Sequence, residues 1–395
     1  MAKPTRAKRG PKPKFLDVAC PNPRCKRRGK MGLGTVVSNG TYRTRSTGKA
    51  RLFLCRACGK AFSSRTGTAF FGLRTRKRTV LLGLRLLAEG LGLRGTARAL
   101  EVKLDTVRGW LALAAQHCEH VSQLLLRELK CSQVQVDELW TFVKKTPRSP
   151  WDDNPQAPLL RKRGRGRSLG TTWIWRAVAP EYRLRLASLV GNRTLFSARR
   201  LIRRVRRCLD GSLPLFTSDA LRHYAEVLLE RFGIWELPRR TGRPGRPRKP
   251  RRVAPPELRY AQVQKHREQG RVVAVTRRVL FGEPALVHAQ AAALRRANGR
   301  RGQINTAYIE RDNLTLRQEL RRLARKTLGF SKNRRELQHA LNFIDAHANF
   351  VKAHQSLRGR ASPDSGRRWI PRTPAMAAGL TDHRWTLEEM LRYKP

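Results

Sequence analysis

The chain has 395 residues, with 85 Lys+Arg against 28 Asp+Glu and a formal net charge of +57. So charged a compact body repels itself unless a polyanion neutralises it, which excludes a self-sufficient neutral globule and points to nucleic acid, whose counterions are released on binding. The length, the 40% hydrophobic content and the 8 Trp speak for a folded core over a ribosomal or nucleoid-packing protein, and the best apolar run, Val80 to Leu93, is broken by Arg85 and Glu89, so no membrane span is expected.

Residues 1–16 are Lys/Arg/Pro-rich and read as a disordered basic arm, with no apolar signal region behind them. Residues 17–75 hold two cysteine pairs, short β-like runs and many Gly and Thr. The chain has 7 Cys, an odd number, and no secretion signal, so paired cysteines are metal ligands before they are disulfides. Cys20 and Cys25 frame CPNPRC, and Cys55 and Cys58 frame CRACGK. Four thiolates in two tight turns suit a tetrahedral zinc ion, and Gly59 supplies a residue free to take positive φ behind the second pair. The alternative, a redox CxxC, wants a helix following a strand, and none is legible here. Cys118, Cys131 and Cys208 have no partner spacing and read as core residues.

Residues 76–130 read as helices. GLGLRGTARALEVKLDTVRGWLALAA has the layout of a helix-turn-helix: Leu93 to Leu100, a turn at Glu101 to Lys103, and a recognition helix from Leu104 or Asp105 to Ala114. Asp105 would cap the second helix. Ala97, Leu100, Val107 and Trp110 are spaced to pack the two helices together, leaving Thr106 and Arg108 to face a DNA groove. A plain helical hairpin is the alternative.

From Val134 the pattern turns to strands, VQVDELWTFV, TTWIWRAVAP and RLRLASLVGN, then a helix, FSARRLIRRVRRCL, then another strand, LPLFTSD. Strand-like alternation returns over 258–282, and helical periodicity runs from 284 to about 356. Acids are scarce, so an acid inside an apolar strand needs a reason. Asp137 lies in VQVDELWTFV on the face opposite Val134 and Val136. Asp219 ends LPLFTSD, where it could also serve as a helix cap. Glu310 lies in NTAYIERDNLTLRQELRRLARKT, a helix begun by Asn305 or Thr306, with Ile309, Leu316, Leu320 and Leu323 as its apolar stripe. Glu310, Asn313 and Arg317 share another face, which puts Asn313 and Arg317 within reach of DNA. The order of strands and helices is that of a ribonuclease-H-like sheet, in which the first and fourth strands are neighbours, so the expected class is α+β. Three such carboxylates can hold two Mg²⁺ (or Mn²⁺) ions roughly 4 Å apart, one at the attacking and one at the leaving oxygen of a phosphoryl transfer.

CRACGKAF, VDELWTFVKK, TSDALRHY, NTAYIERDNLTLRQ, RKTLGFSK and NFVKAHQSLRG together resemble a DDE transposase of the insertion-sequence-one type, over nearly the whole chain to about residue 360. The resemblance implies a zinc ribbon (17–75) and helix-turn-helix domain (76–130) ahead of a ribonuclease-H-like catalytic domain (131–357), with a basic C-terminal tail (358–395). It implies Asp137, Asp219 and Glu310 as catalytic residues, with Asp137 preferred to its neighbour Glu138, and places His354 near the site. It also implies binding of terminal inverted repeats, cleavage at the DNA ends and joining of the 3′-hydroxyl ends to target DNA, by a homo-oligomer on double-stranded DNA in a prokaryotic cytoplasm. Two basic runs depart from the family pattern, RKRGRGR at 161–167 and TGRPGRPRKPRR at 241–252; the second, with Arg243 and Arg246, resembles a minor-groove hook. Two rival readings remain: a domesticated, inactive DNA-binding protein, and a structure-specific nuclease of the junction-resolving kind, against which the sequence-reading modules argue.

Overall fold

The computed structural model describes residues 15–44, 48–144, 170–237, 249–294, 302–362, 366 and 368–394. Nearly all of the N-terminal arm, the run 161–167, and 241–248 with Arg243 and Arg246 lie outside the described residues. By internal contacts the chain forms two units, Met1–Leu82 with Leu391–Pro395, and Gly83–Met390. The expected helical domain, 76–130, is divided between them: residues 76–82 belong to the first unit, and 83–130 share the second with the strand-rich segment.

The first unit carries a three-stranded antiparallel sheet in sequence order: β1 (Val36–Thr44), β2 (Gly48–Cys55) and β3 (Ala61–Ser63). Its small core stacks Phe15 edge-on against Phe53 at 5.2 Å and sets Phe62 at 5.5 Å from Phe53. α1 (Lys77–Ala88) follows in the chain.

In the second unit α2 (Leu93–Ala99) and α3 (Leu104–Leu125) are joined by a turn in which Glu101 takes φ 53. Gly83 lets the Trp110 ring close in: a Cβ there would lie 2.8 Å from it. α3 runs eleven residues beyond the expected end at Ala114, to Leu125. The cause is an apolar stripe, Val107, Leu111, Ala114, Cys118 and Val121, which continues at helical spacing and is buried. Lys103 is the N-cap residue, without a side-chain cap, so Asp105 is not the cap; its carboxylate takes Arg108 Nη1 at 2.7 Å instead.

The sheet of this unit is mixed, with parallel and antiparallel pairs in one six-stranded array. β4 (Gln133–Phe142), β5 (Thr171–Ala179) and β6 (Leu184–Gly191) form an antiparallel meander. α4 (Leu195–Cys208) leads to β7 (Leu215–Ser218), which pairs parallel with β4, so the first and fourth strands are neighbours. α5 (Arg222–Phe232) follows, then a short pair, β8 (Ile234–Glu236) with β9 (Arg251–Val253). β10 (Arg259–Glu268) pairs parallel with β7, and β11 (Arg271–Phe281) closes the edge, for an order β11-β10-β7-β4-β5-β6. β6 is buried at every position, with α4 and α8 both packed on it.

α4 turns Ala198, Leu201, Ile202 and Val205 inward and Arg199, Arg203, Arg206 and Arg207 outward, the 3.6-residue pattern written in its sequence. α6 (Pro284–Ala293), α7 (Ala307–Glu319) and α8 (Arg334–Ala346) follow. α7 packs on β4 and β5, and α8 packs on β6 and along α3. α7 ends at Glu319, short of the expected span, and a 3-10 turn at Arg321–Leu323 buries Leu323. The chain after 358 carries more structure than its composition suggests: a short pair, β12 (Gly359–Arg360) with β13 (Trp369–Ile370), then α9 (Pro374–Ala377) and α10 (Leu387–Arg392). Trp385 stacks on Phe350 at 5.1 Å, which anchors this segment.

Candidate active site

Alternation along β4 divides its polar residues between two faces. Gln135 faces α7, donating from Nε2 to the Asn305 carbonyl at 2.8 Å and accepting from Ile309 N at 3.0 Å. Asp137 is on the same face: its Oδ2 accepts from Asn313 Nδ2 at 2.7 Å, and its Oδ1 from Glu138 N at 2.9 Å. Glu138 turns the other way, is 9% exposed and takes Arg193 Nη2 at 3.2 Å. The two adjacent acids, the easiest pair to confuse in the sequence, thus have different surroundings.

The parallel ladder between β4 and β7 pairs Gln135 with Thr217, so two residues further on Asp137 of β4 stands beside Asp219, just past the end of β7. Asp219 follows the last residue of β7. Its Oδ1 accepts from Leu221 N at 3.1 Å, an Asx turn that starts the approach to α5, and Arg193 Nη2 lies 3.9 Å from Oδ2. Both roles weighed for it, turn former and member of a carboxylate group, are open to the one side chain. Glu310 is in the first turn of α7, where Thr306 Oγ1 donates to its Oε1 at 2.5 Å and Lys265 Nζ from β10 at 2.6 Å. Asn305 Oδ1 accepts from Ala307 N at 3.0 Å and begins the helix.

The three carboxylates share one electrostatic neighbourhood. The Asp137 carboxyl is pushed up to about 7, first by burial and then by the negative charge of Asp219, with Glu310 adding to it, while the Glu138 amide and Asn313 pull the other way. Burial and Asp219 likewise raise Glu138 to about 7. Such a group gains from a divalent cation, and its oxygen donors suit a hard one. The carboxylates are a looser set than the cysteines: among the described residues, the one group of three or more ligand-type side chains with all donor atoms within 4.8 Å of one another is Cys20, Cys25, Cys55 and Cys58.

Sequence reasoning missed what fixes α7. Arg176 on β5 and Arg185 on β6 are 0% and 4% exposed. Arg176 pairs with Asp312 of α7; Arg185 Nε reaches Asp312 at 2.8 Å, its Nη2 Glu319 at 2.9 Å and its Nη1 Asp345 of α8 at 3.4 Å. Lys352 Nζ completes Glu319 at 2.9 Å. Asp312 lies between Glu310 and Asn313 on the helix, so this buried lattice holds the face that meets Asp137. The signal was present: an Arg within each apolar strand, TTWIWRAVA and LRLASLVG, needs a reason as much as Asp137 does.

Other expected site residues are placed as follows. Asn313 is buried against Asp137, and Arg317 donates to the backbone carbonyls of Leu323 at 2.7 Å and Trp140 at 3.2 Å. Thr106 is half-buried, while Arg108 is exposed yet paired with Asp105 and with Glu336 of α8. His354 Nδ1 accepts from Ser356 N at 3.3 Å, so the ring caps a short turn.

In the first unit Cys20 and Cys58 Sγ lie 3.7 Å apart, and Cys25 and Cys55 Sγ 3.9 Å. Zinc–sulfur bonds of about 2.3 Å put tetrahedral sulfurs about 3.8 Å apart, so the cluster is compatible with structural zinc. Gly59, at φ 68, donates to the Cys55 carbonyl at 2.8 Å and closes the second knuckle. The Asn22 side chain and the Lys60 amide hold the Cys58 thiol down to about 6, while burial pushes the Cys20 thiol up to about 12. Cys118, Cys131 and Cys208 are buried, as expected of core residues.

Residues 290–348, which hold Glu310, Asn313 and the acids of the buried lattice, match the family profile described as IS1 transposase. No curated protein matches the chain. Among solved structures, it is similar to a Mos1 strand transfer complex at 15% identity over 37% of this chain and 54% of that one, with a TM-score of 0.16. A Mos1 mariner paired end complex with Mn matches at 14% identity over 38% of this chain and 54% of that one, with the same TM-score of 0.16. The matched stretch spans about half the length of those proteins, and a TM-score so low carries no weight for this chain.

Proposed function

We infer that this chain, which matches the IS1 transposase profile over residues 290–348, is a transposase that cuts DNA at the ends of a mobile element and joins the freed 3′-hydroxyls to a target, using Asp137, Asp219 and Glu310. The observation that carries the reading is the placing of three acids by three neighbouring elements: Asp137 on β4, Asp219 at the end of β7, which pairs with β4, and Glu310 in the first turn of α7, which packs on β4. The strand order, with β4 between β5 and β7, supports a ribonuclease-H-like domain.

The donor set fits divalent metal: oxygen donors from three acids, of which Asp137 has no ion pair among the described residues, while Lys265 stands on Glu310 and Arg193 near Asp219. When bound, two Mg²⁺ or Mn²⁺ ions supply activation of the attacking oxygen and stabilisation of the leaving one. The chain's own residues do the placing. Asn313 fixes the rotamer of Asp137, Thr306 that of Glu310, and the Leu221 amide that of Asp219. The Arg176–Arg185 lattice locks α7 so that Glu310 and Asn313 keep their register with β4. α2 and α3 serve as a helix-turn-helix and the four cysteines as a zinc ribbon, both reading terminal inverted repeats of double-stranded DNA, with two or more copies pairing the ends. Pairing of Arg108 with Glu336 calls for that contact to open, or for Arg108 to anchor the helix, when DNA is bound.

The test is cleavage of a plasmid carrying the element's ends. Asp137→Asn, Asp219→Asn and Glu310→Gln should each reduce Mg²⁺-dependent end cleavage by 10³-fold or more, on the scale of lost electrostatic stabilisation, with DNA affinity within about threefold of wild type by gel shift. Full cleavage by any one of them removes that residue from the site. A wild-type chain that binds the ends and never cuts them would instead be the non-enzymatic DNA-binding protein.

A further inference from the structure

The β10–β11 hairpin runs past the sheet that holds it. β7 pairs with β10 up to Ser218 opposite Gln262, and β10 continues to Glu268. The two strands stay paired to a two-residue turn, Gln269 and Gly270, both at positive φ. From Arg267 to Arg278 every side chain is exposed, including Val272 at 45% and Val273 at 53%. A solvated two-stranded ribbon is marginal by itself and its open edge invites association.

Charge decides what the ribbon receives. Residues 264–278 carry five Lys/Arg and one acid, Glu268. Lys265 is on Glu310, and Arg277 is tied to the Ile304 carbonyl at 2.9 Å. Arg267, Arg271 and Arg278 have no acidic partner among the described residues. Position decides the rest: β10 lies beside the strand that ends at Asp219, and its Lys265 touches Glu310, so the ribbon leaves the sheet beside the carboxylate group.

We propose that the β10–β11 ribbon grips the phosphate backbone of the element-end duplex next to the position being cut, through Arg267, Arg271 and Arg278. A two-stranded ribbon is narrow enough to follow a major groove. The same carboxylates serve cleavage and then joining, so the duplex beside the ribbon at the first step is the element end. The proposal rests on the transposase reading and adds a DNA-contacting element to it.

The test uses the full chain and a labelled duplex carrying the element's own terminus across its cut site. The triple variant Arg267→Gln/Arg271→Gln/Arg278→Gln should bind at least tenfold more weakly. Its plot of log affinity against log salt should be shallower by roughly 2.7, or 0.9 per lost phosphate contact. In Gln269→Cys, a photo-crosslinker on the hairpin turn should label element-end nucleotides within a few base pairs of the cut. Unchanged affinity and salt slope in a triple variant with a wild-type melting profile would overturn the proposal, as would crosslinks confined to target DNA. So would a triple variant that sediments as a smaller species without DNA while keeping its affinity, which would make the ribbon a contact between copies of the chain. If the wild-type chain cuts the ends and the ribbon variants behave like it, only this proposal falls. If the wild-type chain neither binds nor cuts, the transposase reading falls with it.

Discussion

At the scale of single residues, Asp137 is the most informative group. Its carboxyl is raised by burial and by two nearby acids, so a proton and a divalent cation compete for it. Cleavage should therefore decline as pH falls through about 7, and the decline should move to lower pH as Mg²⁺ is increased; a pH–rate series at several Mg²⁺ concentrations checks both. Because the folded-state value lies above the ordinary 3.8, this residue favours the folded state increasingly as pH drops from about 7 toward 4, and disfavours it above 7. Asn313→Ala removes a donor that holds Asp137 ionised, and should move the pH–rate limb upward. A limb at the wild-type position would show that Asn313 does not act on that carboxyl. The sequence singles out an acidic pair, Asp137 and Glu138, inside an apolar strand, and alternation assigns the two to opposite faces without saying which face meets α7. Asn313 was legible as a neighbour of Glu310 by helical spacing, but its partner was not, since that contact joins residues far apart in the chain.

Elements carry the next level. β4, β5, β6, α4 and β7 could all be read from alternation and helical periodicity, because each buries one face or two against the same core. The end of α3 was misplaced. Its apolar stripe continues at helical spacing past Ala114, and the helix follows it to Leu125, packing along α8. The arginines of the buried lattice stood out in their apolar strands, but their partners did not, because the lattice joins α7 and α8 to β5 and β6. Its energetics are testable. Asp312 is half-buried and Glu319 buried, yet the facing arginines hold both carboxyls below the usual range. Their contribution to stability is then present above the ordinary carboxylate values and is lost as pH falls through the lowered ones. Arg185→Ala leaves three acids facing each other without their shared cation and should destabilise the second unit by about 3–5 kcal/mol, the range for breaking a buried ion pair. Urea unfolding followed by tryptophan fluorescence measures this; a loss under about 1 kcal/mol would mean the lattice is not what holds α7.

At the scale of the whole molecule, charge and metal divide the work. A net charge of +57 makes sequence-independent DNA binding strong and steeply salt-dependent. With 6–10 phosphate contacts, affinity for random duplex should fall roughly 10³–10⁵-fold between 50 and 200 mM salt. The cysteine unit has a small core of three Phe rings around one short sheet, so its fold should depend on metal. Chelation, or Cys55→Ser, should release about one zinc per chain by atomic absorption and expose this unit to proteolysis while the mixed sheet remains intact. The two-unit division differs from the domain limits legible in the sequence because composition marks where a pattern changes, and contacts decide which patterns pack together.

The central claim, that Asp219 contacts a catalytic metal as well as shaping a turn, is tested most directly by changing the ligand atom. The account expects Asp219→Cys to lose end cleavage in Mg²⁺, which binds sulfur poorly, and to recover a measurable part of it in Mn²⁺, which accepts it. Cleavage in Mg²⁺ at the wild-type rate would contradict it and leave Asp219 a turn former alone.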